Sequence, residues 1–368
     1  MYYFIYRSTG SSVYSAVTEM LEKSGYWQCK NPDSSKFHLV FGERNRLSFA
    51  RLGHEPGFTQ AVNYFNGNDS ICKKSSLVCT LKDYAKKCER NFDWILPAYV
   101  VNPEKTRKEI KFHSKRLKEN LKSPWMEFYL EKPVRDFRED LRRASATLAS
   151  GNQRIWIAKP NTGCKGEGIM ISDDIDQLIQ FVDNSNQSHV IQKYVENPML
   201  LTGERKFDIR EGVVRTASDA YDPSNLDKVT SHLTNHCLQQ QLADKFGQYE
   251  EGNEMFYEEF NRFLEAKYNL SLESDILPQI RRIIKDCFAA GKEKMDASGL
   301  SYKSFQLFGF DFIIDDKGHV YLLEINGAPA CAEKLQSGLV QSLIETAINP
   351  LYPPPALAVN SLNLFDLI

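Results

Sequence analysis

The sequence predicts an α/β (α+β) fold, and three observations support this. The chain has 368 residues, which at about 150 residues per domain suggests two domains. Hydrophobic residues make up 42% of the chain and charged residues 26%, as in globular proteins with a sizeable core. Strand-like runs alternate with segments of helical periodicity, an order typical of layered α/β proteins.

The N-terminal residues 1–68 predict a small α/β domain. An apolar run at residues 2–6 predicts a strand, residues 12–24 have apolar side chains at helical spacing, and residues 37–41 predict a second strand. The glycines and the proline of residues 52–57 then predict a shaped loop.

A second portion, residues 69–150, contains a basic segment. Residues 102–143 hold 13 Lys/Arg and 8 Asp/Glu, interrupted by three prolines. Two interpretations stay open: a solvated linker with helical pieces, or a basic surface that binds an acidic partner.

The third portion, residues 151–355, is rich in strands and carries most of the candidate site, and residues 356–368 predict a tail. The predicted strands are residues 154–158, 189–194, 305–314 and 319–325; the predicted helices are residues 175–182, 253–267, 277–295 and 338–348.

Charge and cysteine content limit the partners and the compartment. The formal net charge is −2, so no field of the whole protein drives binding to nucleic acid or membrane, and we expect neither as a partner. The eight cysteines are scattered without a C-x-x-C pair, which favours free thiols in a reducing compartment. No apolar run approaches the ~20 residues of a membrane span, so we expect a soluble cytoplasmic protein.

A glycine-rich loop follows the strand predicted at residues 154–158. Gly163, Gly166 and Gly168 would let the backbone approach an anion closely, and Lys159 would bring an ammonium group to the same place. The loop lacks the Walker A pattern. Taken alone, a loop of this kind is more often an ordinary turn.

Two further strands have polar side chains at unusual positions. Residues 191–196 could offer a backbone N–H and a C=O to the edge of an adenine, although a plain strand is the simpler interpretation. In residues 206–210, Lys206, Asp208 and Arg210 share one face by the two-residue period of a strand. Burying three charges is costly unless they face a ligand or a wet cleft; the alternative is a solvated edge strand.

An acidic hairpin near the C-terminal end gives the strongest signal. Two apolar strands at residues 310–315 and 319–327 flank a short turn, which places Asp311 beside Glu324 and puts Asn326 on the same face as Glu324. Three oxygen ligands at one end of a hairpin suit Mg²⁺, and two buried carboxylates without a cation would repel each other.

Together these features resemble, in kind and in order, the tubulin tyrosine ligase-like family of ATP-grasp ligases. The resemblance implies an ATP-grasp fold with a small N-terminal α/β domain that faces tubulin. It extends from residue 1 to about residue 350 and is weak only in residues 102–150. Within the family, several blocks resemble the member that adds tyrosine: residues 42–47, 51–57, 232–236, 249–254 and 305–311.

The resemblance also implies an activity and its partners. ATP would phosphorylate the C-terminal glutamate of detyrosinated α-tubulin, and the amine of free tyrosine would attack the acyl phosphate. The cofactors would be ATP and Mg²⁺, and the partner the α/β-tubulin dimer, for a monomeric cytoplasmic enzyme associated with the cytoskeleton. Two alternatives remain: a ligase for another amino acid such as glutamate, or a catalytically impaired protein that binds and sequesters tubulin.

Site residues follow from the same resemblance, position by position. The residues implied for catalysis are Arg210, Arg215 and Glu324; for nucleotide binding, Lys74, Lys159, Gly166, Gln192, Lys193, Val195, Lys206, Asp208, Thr234 and Asn235; and for Mg²⁺, Asp311, Glu324 and Asn326. Arg44 and Arg46 are implied as contacts to tubulin.

One departure from the family pattern follows Arg210. About fifteen residues of a β-hairpin are missing between Arg210 and Glu211. The loss is nearly symmetric about the turn, so we expect a shortened hairpin with its turn near residues 210–212. Such a hairpin would preserve Lys206, Asp208 and Arg215, and it leaves the position of Arg210 open.

Overall fold

The computed structural model describes residues 1–7, 11–108, 135–149, 154–163, 166–210, 212–355 and 363–368. Most of the basic segment predicted at residues 102–143 lies outside these ranges, as do Glu211 and the first part of the predicted tail. Within them, no helix has the length and apolar character that a membrane span requires.

The chain forms a mixed α/β structure, as predicted. The strands are β1 (Tyr2–Arg7), β2 (Trp27–Cys29), β3 (Leu39–Gly42), β4 (Ala61–Val62), β5 (Ala98–Val101), β6 (Trp156–Pro160), β7 (Met170–Ser172), β8 (His189–Lys193), β9 (Arg205–Arg210), β10 (Val213–Ala220), β11 (Glu254–Phe256), β12 (Lys303–Ser304), β13 (Gly309–Ile314) and β14 (Val320–Asn326). The α-helices are Ser12–Lys23, Asp69–Cys72, Lys74–Cys88, Arg138–Ala149, Ile175–Asp183, Val229–His232, His236–Leu242, Tyr257–Tyr268, Leu277–Gly291 and Glu333–Leu343.

The N-terminal sheet is parallel and has the order β12-β4-β3-β1-β2. The helix Ser12–Lys23 makes the crossover from β1 to β2, and its Ser11 side chain accepts a hydrogen bond from the N–H of Tyr14 at its start. Val13 and Val17 of this helix are fully buried in one cluster with Leu39 of β3. The helical period thus places the apolar face of the helix on the sheet.

Residues far along the chain complete this N-terminal region. Strand β12 adds to the sheet beside β4, and the hydroxyl of Tyr352 donates hydrogen bonds to the carbonyls of His38 (2.7 Å) and Thr59 (2.8 Å). Val340 and Ile348 lie in the same apolar cluster as β1 and β3. The N-terminal region therefore contains residues from both ends of the chain. The domain boundaries predicted from the sequence stay predictions.

A second sheet has the order β5-β8-β6-β7 and is antiparallel. The helices Arg138–Ala149 and Ile175–Asp183 cover one face, where Leu141, Trp156 and Leu178 are fully buried. The other face of this sheet carries Lys159 and Gln192 toward a cleft.

The third sheet, with the order β11-β10-β9-β13-β14, is antiparallel and forms the opposite wall of the cleft. Phe207 and Ile209 point into the main apolar core, whereas Asp208 and Arg210 face the cleft. The alternation predicted for residues 206–210 is confirmed.

The shortened hairpin is also confirmed. Strands β9 and β10 pair directly, Arg210 opposite Val213 and Asp208 opposite Arg215. Gly212 has a φ of +84°, a conformation that glycine adopts without steric cost. Arg210 lies beside Asp311 of β13 in the backbone register, which settles the position that the sequence left open.

Three predicted elements need correction. Residues 305–308 are not part of a strand, because β12 ends at Ser304 and β13 begins at Gly309. The first residues of the helix predicted at 253–267 form β11 instead, since their backbone pairs with β10. The last predicted helix begins at Glu333, five residues earlier than its apolar spacing indicated.

Candidate active site

A cavity of about 900 Å³ lies between the second and third sheets. Every residue implied for catalysis, nucleotide binding or Mg²⁺ lines it, from both sheets and from the elements around them: Lys74, Lys159, Gly166, Gln192, Lys193, Val195, Lys206, Asp208, Arg210, Arg215, Thr234, Asn235, Asp311, Glu324 and Asn326. The fold therefore brings together residues as far apart in the chain as Lys74 and Asn326.

The acidic hairpin forms one wall. Asp311 and Glu324 are direct partners across β13 and β14, and the Asn326 amide donates to Glu324 Oε1 at 3.4 Å. This confirms the predicted arrangement. Asp311 Oδ1 is buried and accepts no hydrogen bond of good geometry, and its cationic neighbour is Arg210, so the hairpin presents an oxygen with lone-pair capacity beside other oxygen donors. Such donors fit Mg²⁺, and their role as its ligands stays a prediction.

Arg215 lies between two carboxylates. Its Nε donates to Asp208 Oδ1 at 2.7 Å, and its Nη2 donates to Asp311 Oδ2 at 2.9 Å. Arg210 Nε is 3.3 Å from the other Asp311 oxygen, Oδ1. Burial disfavours the charge of Arg215, but Asp208 and Asp311 outweigh it and raise the pKa of Arg215 above its ordinary value. Both arginines thus face the acidic hairpin.

Glu324 has a cationic partner of its own. Lys74, the first residue of the helix Lys74–Cys88, places its Nζ 3.0 Å from Glu324 Oε2. Burial opposes ionisation of Glu324, but the ammonium groups of Lys74 and Lys159 outweigh it and lower its pKa to about 2. Glu324 is therefore a carboxylate at any physiological pH.

Two lysines, the half-buried Lys159 and the buried Lys206, line the same cavity as the acidic hairpin. Lys159 Nζ donates to Gln192 Oε1 at 2.7 Å, and Lys206 Nζ donates to the hydroxyl of Tyr194 at 2.7 Å. Burial lowers the pKa of Lys159 to about 8, and burial together with Lys159 lowers the pKa of Lys206 to about 7. Both ammonium groups bond to neutral oxygens in these contacts, so a bound anion would supply a negatively charged partner.

The strand edge proposed for adenine is only partly free. The N–H of Lys193 donates to the carbonyl of Pro97, and the N–H of Tyr194 donates to that of Ile155. The side chain of Lys193 bonds to the Ile155 carbonyl at 2.8 Å and forms an ion pair with Glu196. Adenine binding at this edge stays a prediction, with Val195 as the next backbone group along the chain.

The glycine loop approaches the cavity from one side; Cys164 and Lys165 lie outside the described residues. At Gly166, φ is +80° and an added Cβ would lie 2.6 Å from a methyl carbon of Leu238. Only glycine satisfies both conditions. Next to it, the Thr234 hydroxyl donates to the Asp208 carboxylate, and Asn235 precedes the helix His236–Leu242.

Other cavity residues were missed by sequence reasoning. Leu96, Ile169 and Leu323 form apolar walls, and nothing in their sequence spacing distinguishes a wall from a core position. Arg44 and Arg46 do not line the cavity. The half-buried Arg44 lies over the ring of Phe49, and the exposed Arg46 pairs with Glu43.

Comparisons with known proteins identify the family of the chain. A sequence profile described as "Tubulin-tyrosine ligase family" matches residues 52–361. The chain is similar to "Tubulin glycylase 3E" of Tetrahymena thermophila, with 30% identity over 50% of this chain and 15% of that protein. It is 32% identical to "Tubulin glycylase 3A" of Drosophila melanogaster over 49% of this chain and 20% of that protein.

A third relative is matched over more of the chain. "Inactive polyglycylase TTLL10" of Homo sapiens is 27% identical over 72% of this chain and 42% of that protein. In each of these three comparisons the chain spans less than half of the relative's length.

Proposed function

Because this chain belongs to the tubulin-tyrosine ligase family, we propose that it is an ATP-dependent ligase that joins the amine of an amino acid to a carboxylate of tubulin. The observation that carries this proposal is that Lys159 and Lys206 share one cavity with the acidic hairpin. Cations suit the phosphates of a nucleotide, and the oxygen donors suit the metal that accompanies it.

The proposed reaction has two steps. An oxygen of the acceptor carboxylate attacks the γ-phosphorus of ATP, ADP leaves, and an acyl phosphate forms. The amine then attacks the acyl carbon, a proton leaves the nitrogen, inorganic phosphate departs, and a peptide bond remains. Phosphoryl transfer needs alignment and charge neutralisation more than a protein nucleophile, which the buried cations of this cavity can supply.

Each group of residues has a place in this scheme. Lys159 and Lys206 bind the phosphates, and Arg210 and Arg215 lie where the acceptor carboxylate would approach the acidic hairpin. The metal ligands would be Asp311, Glu324 and Asn326, the three oxygen donors of that hairpin. When bound, Mg²⁺ would neutralise charge on the phosphate oxygens.

For the amino acid we propose tyrosine, with glycine as the second candidate. Tyrosine is favoured by the resemblance of residues 42–47 and 51–57 to the family member that adds tyrosine. Glycine is favoured by the names of the relatives from Tetrahymena and Drosophila, which are tubulin glycylases. The proposed acceptor is the glutamate that ends the tail of detyrosinated α-tubulin, in the cytoplasm.

The shortened hairpin raises the alternative of an impaired protein that only sequesters tubulin. Against it stands the register of β9 and β10, which keeps Asp208 opposite Arg215 and both residues in the cavity. We therefore place the active ligase first.

The test is incorporation of labelled amino acids into carboxypeptidase-treated tubulin. With ATP present we expect labelled tyrosine to enter α-tubulin, and with ATP omitted no label. Labelled glycine or glutamate in parallel reactions would reassign the amino acid if it entered instead. Tubulin binding without incorporation of any of the three would reject the ligase and leave the sequestering protein.

A further inference from the structure

Lys206, Tyr194 and His232 form a chain of polar contacts in the wall of the cavity. Lys206 Nζ lies 2.7 Å from the hydroxyl oxygen of Tyr194, and that oxygen lies 2.8 Å from His232 Nδ1. The other ring nitrogen, His232 Nε2, lies 2.9 Å from the carbonyl oxygen of Asn225. Lys206, Tyr194 and His232 are 6%, 6% and 2% exposed, so water contributes little to this chain of contacts.

The chemistry of the end groups fixes the direction of every hydrogen bond. A carbonyl oxygen can only accept, so His232 Nε2 carries the proton and donates to Asn225. In the neutral ring Nδ1 must then accept, and the Tyr194 hydroxyl donates to it. An ammonium group can only donate, so Lys206 donates to the remaining lone pair of Tyr194.

The surroundings keep His232 neutral. Burial lowers the pKa of His232, and the charge of Lys206 acts in the same direction, whereas Asp222 acts against them. The ring of Tyr221 packs edge-on against His232 and stacks on Tyr194, with centroids 5.5 and 6.5 Å away. A neutral ring with its proton held by Asn225 is a permanent acceptor for Tyr194.

We propose that His232 is a positioning residue for nucleotide binding: through the Tyr194 hydroxyl it holds the Lys206 ammonium group in the orientation that meets the phosphates. Without an acceptor at Nδ1, the hydroxyl would be free to turn its proton toward Lys206. The lysine would then lose this directional bond, and its contact with the face of the Tyr194 ring, 3.9 Å from the ring centroid, would not by itself fix the direction of its N–H groups. This inference rests on the proposed function, because it assumes that Lys206 binds nucleotide.

Tyr221 provides a matched control. It has the same hydroxyl and lies in the same aromatic group, but its hydroxyl donates to the carbonyl of Glu196 at 2.9 Å and does not bond to Lys206. If these rings served only to fill space, the removal of either hydroxyl would have similar effects. If the polar chain positions Lys206, only the hydroxyl of Tyr194 matters for nucleotide binding.

The experiment measures the affinity for ATP by calorimetry in five proteins: wild type, Tyr194→Phe, His232→Leu, His232→Asn and Tyr221→Phe. Tyr194→Phe and His232→Leu should each weaken ATP binding about tenfold, as expected for a lost hydrogen bond to a charged group. His232→Asn places an amide oxygen near the position of Nδ1 and should restore the affinity to within about threefold of wild type. Tyr221→Phe should change it less than about twofold.

A double variant separates positioning from general structural damage. In the Tyr194→Phe background, His232→Leu should cause no further loss of affinity, because the hydroxyl through which it acts is already gone. Two outcomes would overturn the inference: a double variant whose loss of ATP affinity is the product of the two single losses, or a Tyr194→Phe variant with wild-type affinity. Neither outcome would contradict the proposed ligase activity. Tyr194→Phe keeps the ring and is informative even if His232→Leu fails to fold. A wild-type chain that binds no ATP would overturn the proposed function and this inference with it.

Discussion

Two five-stranded sheets in this molecule bury polar side chains in opposite ways. Among the described residues 1–68, none of the buried side chains carries a charge, and the buried polar groups include Gln60 and Asn63. In the third sheet, β11-β10-β9-β13-β14, the buried side chains include Lys206, Asp208 and Asp311. The two sheets have the same number of strands, so sheet size does not explain the difference.

In the N-terminal sheet the two buried amides, Gln60 and Asn63, are satisfied by their own neighbours. Gln60 accepts from the N–H of Gly53 at 2.8 Å and donates to the carbonyl of Ser35 at 3.0 Å. Asn63 both accepts from the Gly42 N–H and donates to the Gly42 carbonyl. These bonds hold loops against strands, and they leave the two amides nothing to offer a ligand.

In the third sheet the buried groups are charged. Asp311 forms ion pairs with Arg210 and Arg215, whereas Lys206 bonds to a neutral hydroxyl. Charge is costly to bury in a protein interior. The comparison teaches that buried charge, more than buried polarity, distinguishes a ligand site from a structural polar core.

The largest effect that tests this comparison is on catalysis. Glu324→Gln removes the charge that faces Lys74 and should reduce ligation about a hundredfold or more, because metal and phosphate would lose a charged ligand. Tubulin binding should persist, since Glu324 lies inside the cavity. Labelled tyrosine incorporation measures the first effect and co-sedimentation with tubulin the second.

The control for this variant is Glu265→Gln. Glu265 is exposed on the helix Tyr257–Tyr268, and its carboxylate accepts a hydrogen bond from Asn261. It should keep full activity. Near-normal turnover in Glu324→Gln would mean that the charges of the third sheet serve the fold rather than the reaction.

The next effect concerns stability in the N-terminal sheet. Leu39→Ala removes a fully buried side chain of β3 and should lower the free energy of unfolding by about 3 kcal/mol. Urea denaturation measures this loss, and Leu300→Ala, at a position that is 37% exposed, should change it by less than about 0.5 kcal/mol. The folded Leu39→Ala variant should bind ATP like wild type; weaker binding would show that the two sheets are not independent.

The sequence predicted the third sheet better than the N-terminal one. The charges of residues 206–210 and the hairpin of Asp311 and Glu324 follow from the two-residue period of strands, which is local. Strands β4 and β12 have two residues each, and no local pattern defines them, because their pairing with neighbouring strands is the only reason that they are strands.

Contacts between elements that are distant in the chain could not be predicted from local sequence patterns either. Lys74 was assigned to the site by resemblance alone, and its ion pair with Glu324 joins residues 250 positions apart. The hydrogen bonds from Lys206 through Tyr194 to His232 join three separate segments of the chain, so periodicity could not indicate them. Local patterns identify which charges face a cleft, and only the tertiary structure identifies what holds them there.

The smallest predicted effect concerns Lys206 and has the opposite sign to that of Leu39→Ala. Burial and Lys159 lower the pKa of Lys206 to about 7, whereas an unfolded lysine titrates near pH ~10.4. Between these values the unfolded chain binds more protons than the folded one. The contribution of Lys206 to the free energy of unfolding therefore becomes more favourable as the pH rises from about 7 to about 10.

Lys206→Met should therefore stabilise the protein at pH 7, by about 1 kcal/mol, and should flatten the rise in stability between pH 7 and pH 10. Part of the rise in stability should remain in the variant, because Lys159 is still present and its own pKa is lowered to about 8. Urea denaturation at several pH values measures both effects. The control is Lys317→Met at an exposed turn, which should change neither the stability at pH 7 nor its rise with pH. If Lys206→Met destabilised the protein at pH 7, Lys206 would belong with Gln60 and Asn63 as a structural group, and the contrast between the two sheets would fail at a buried cation of the third sheet.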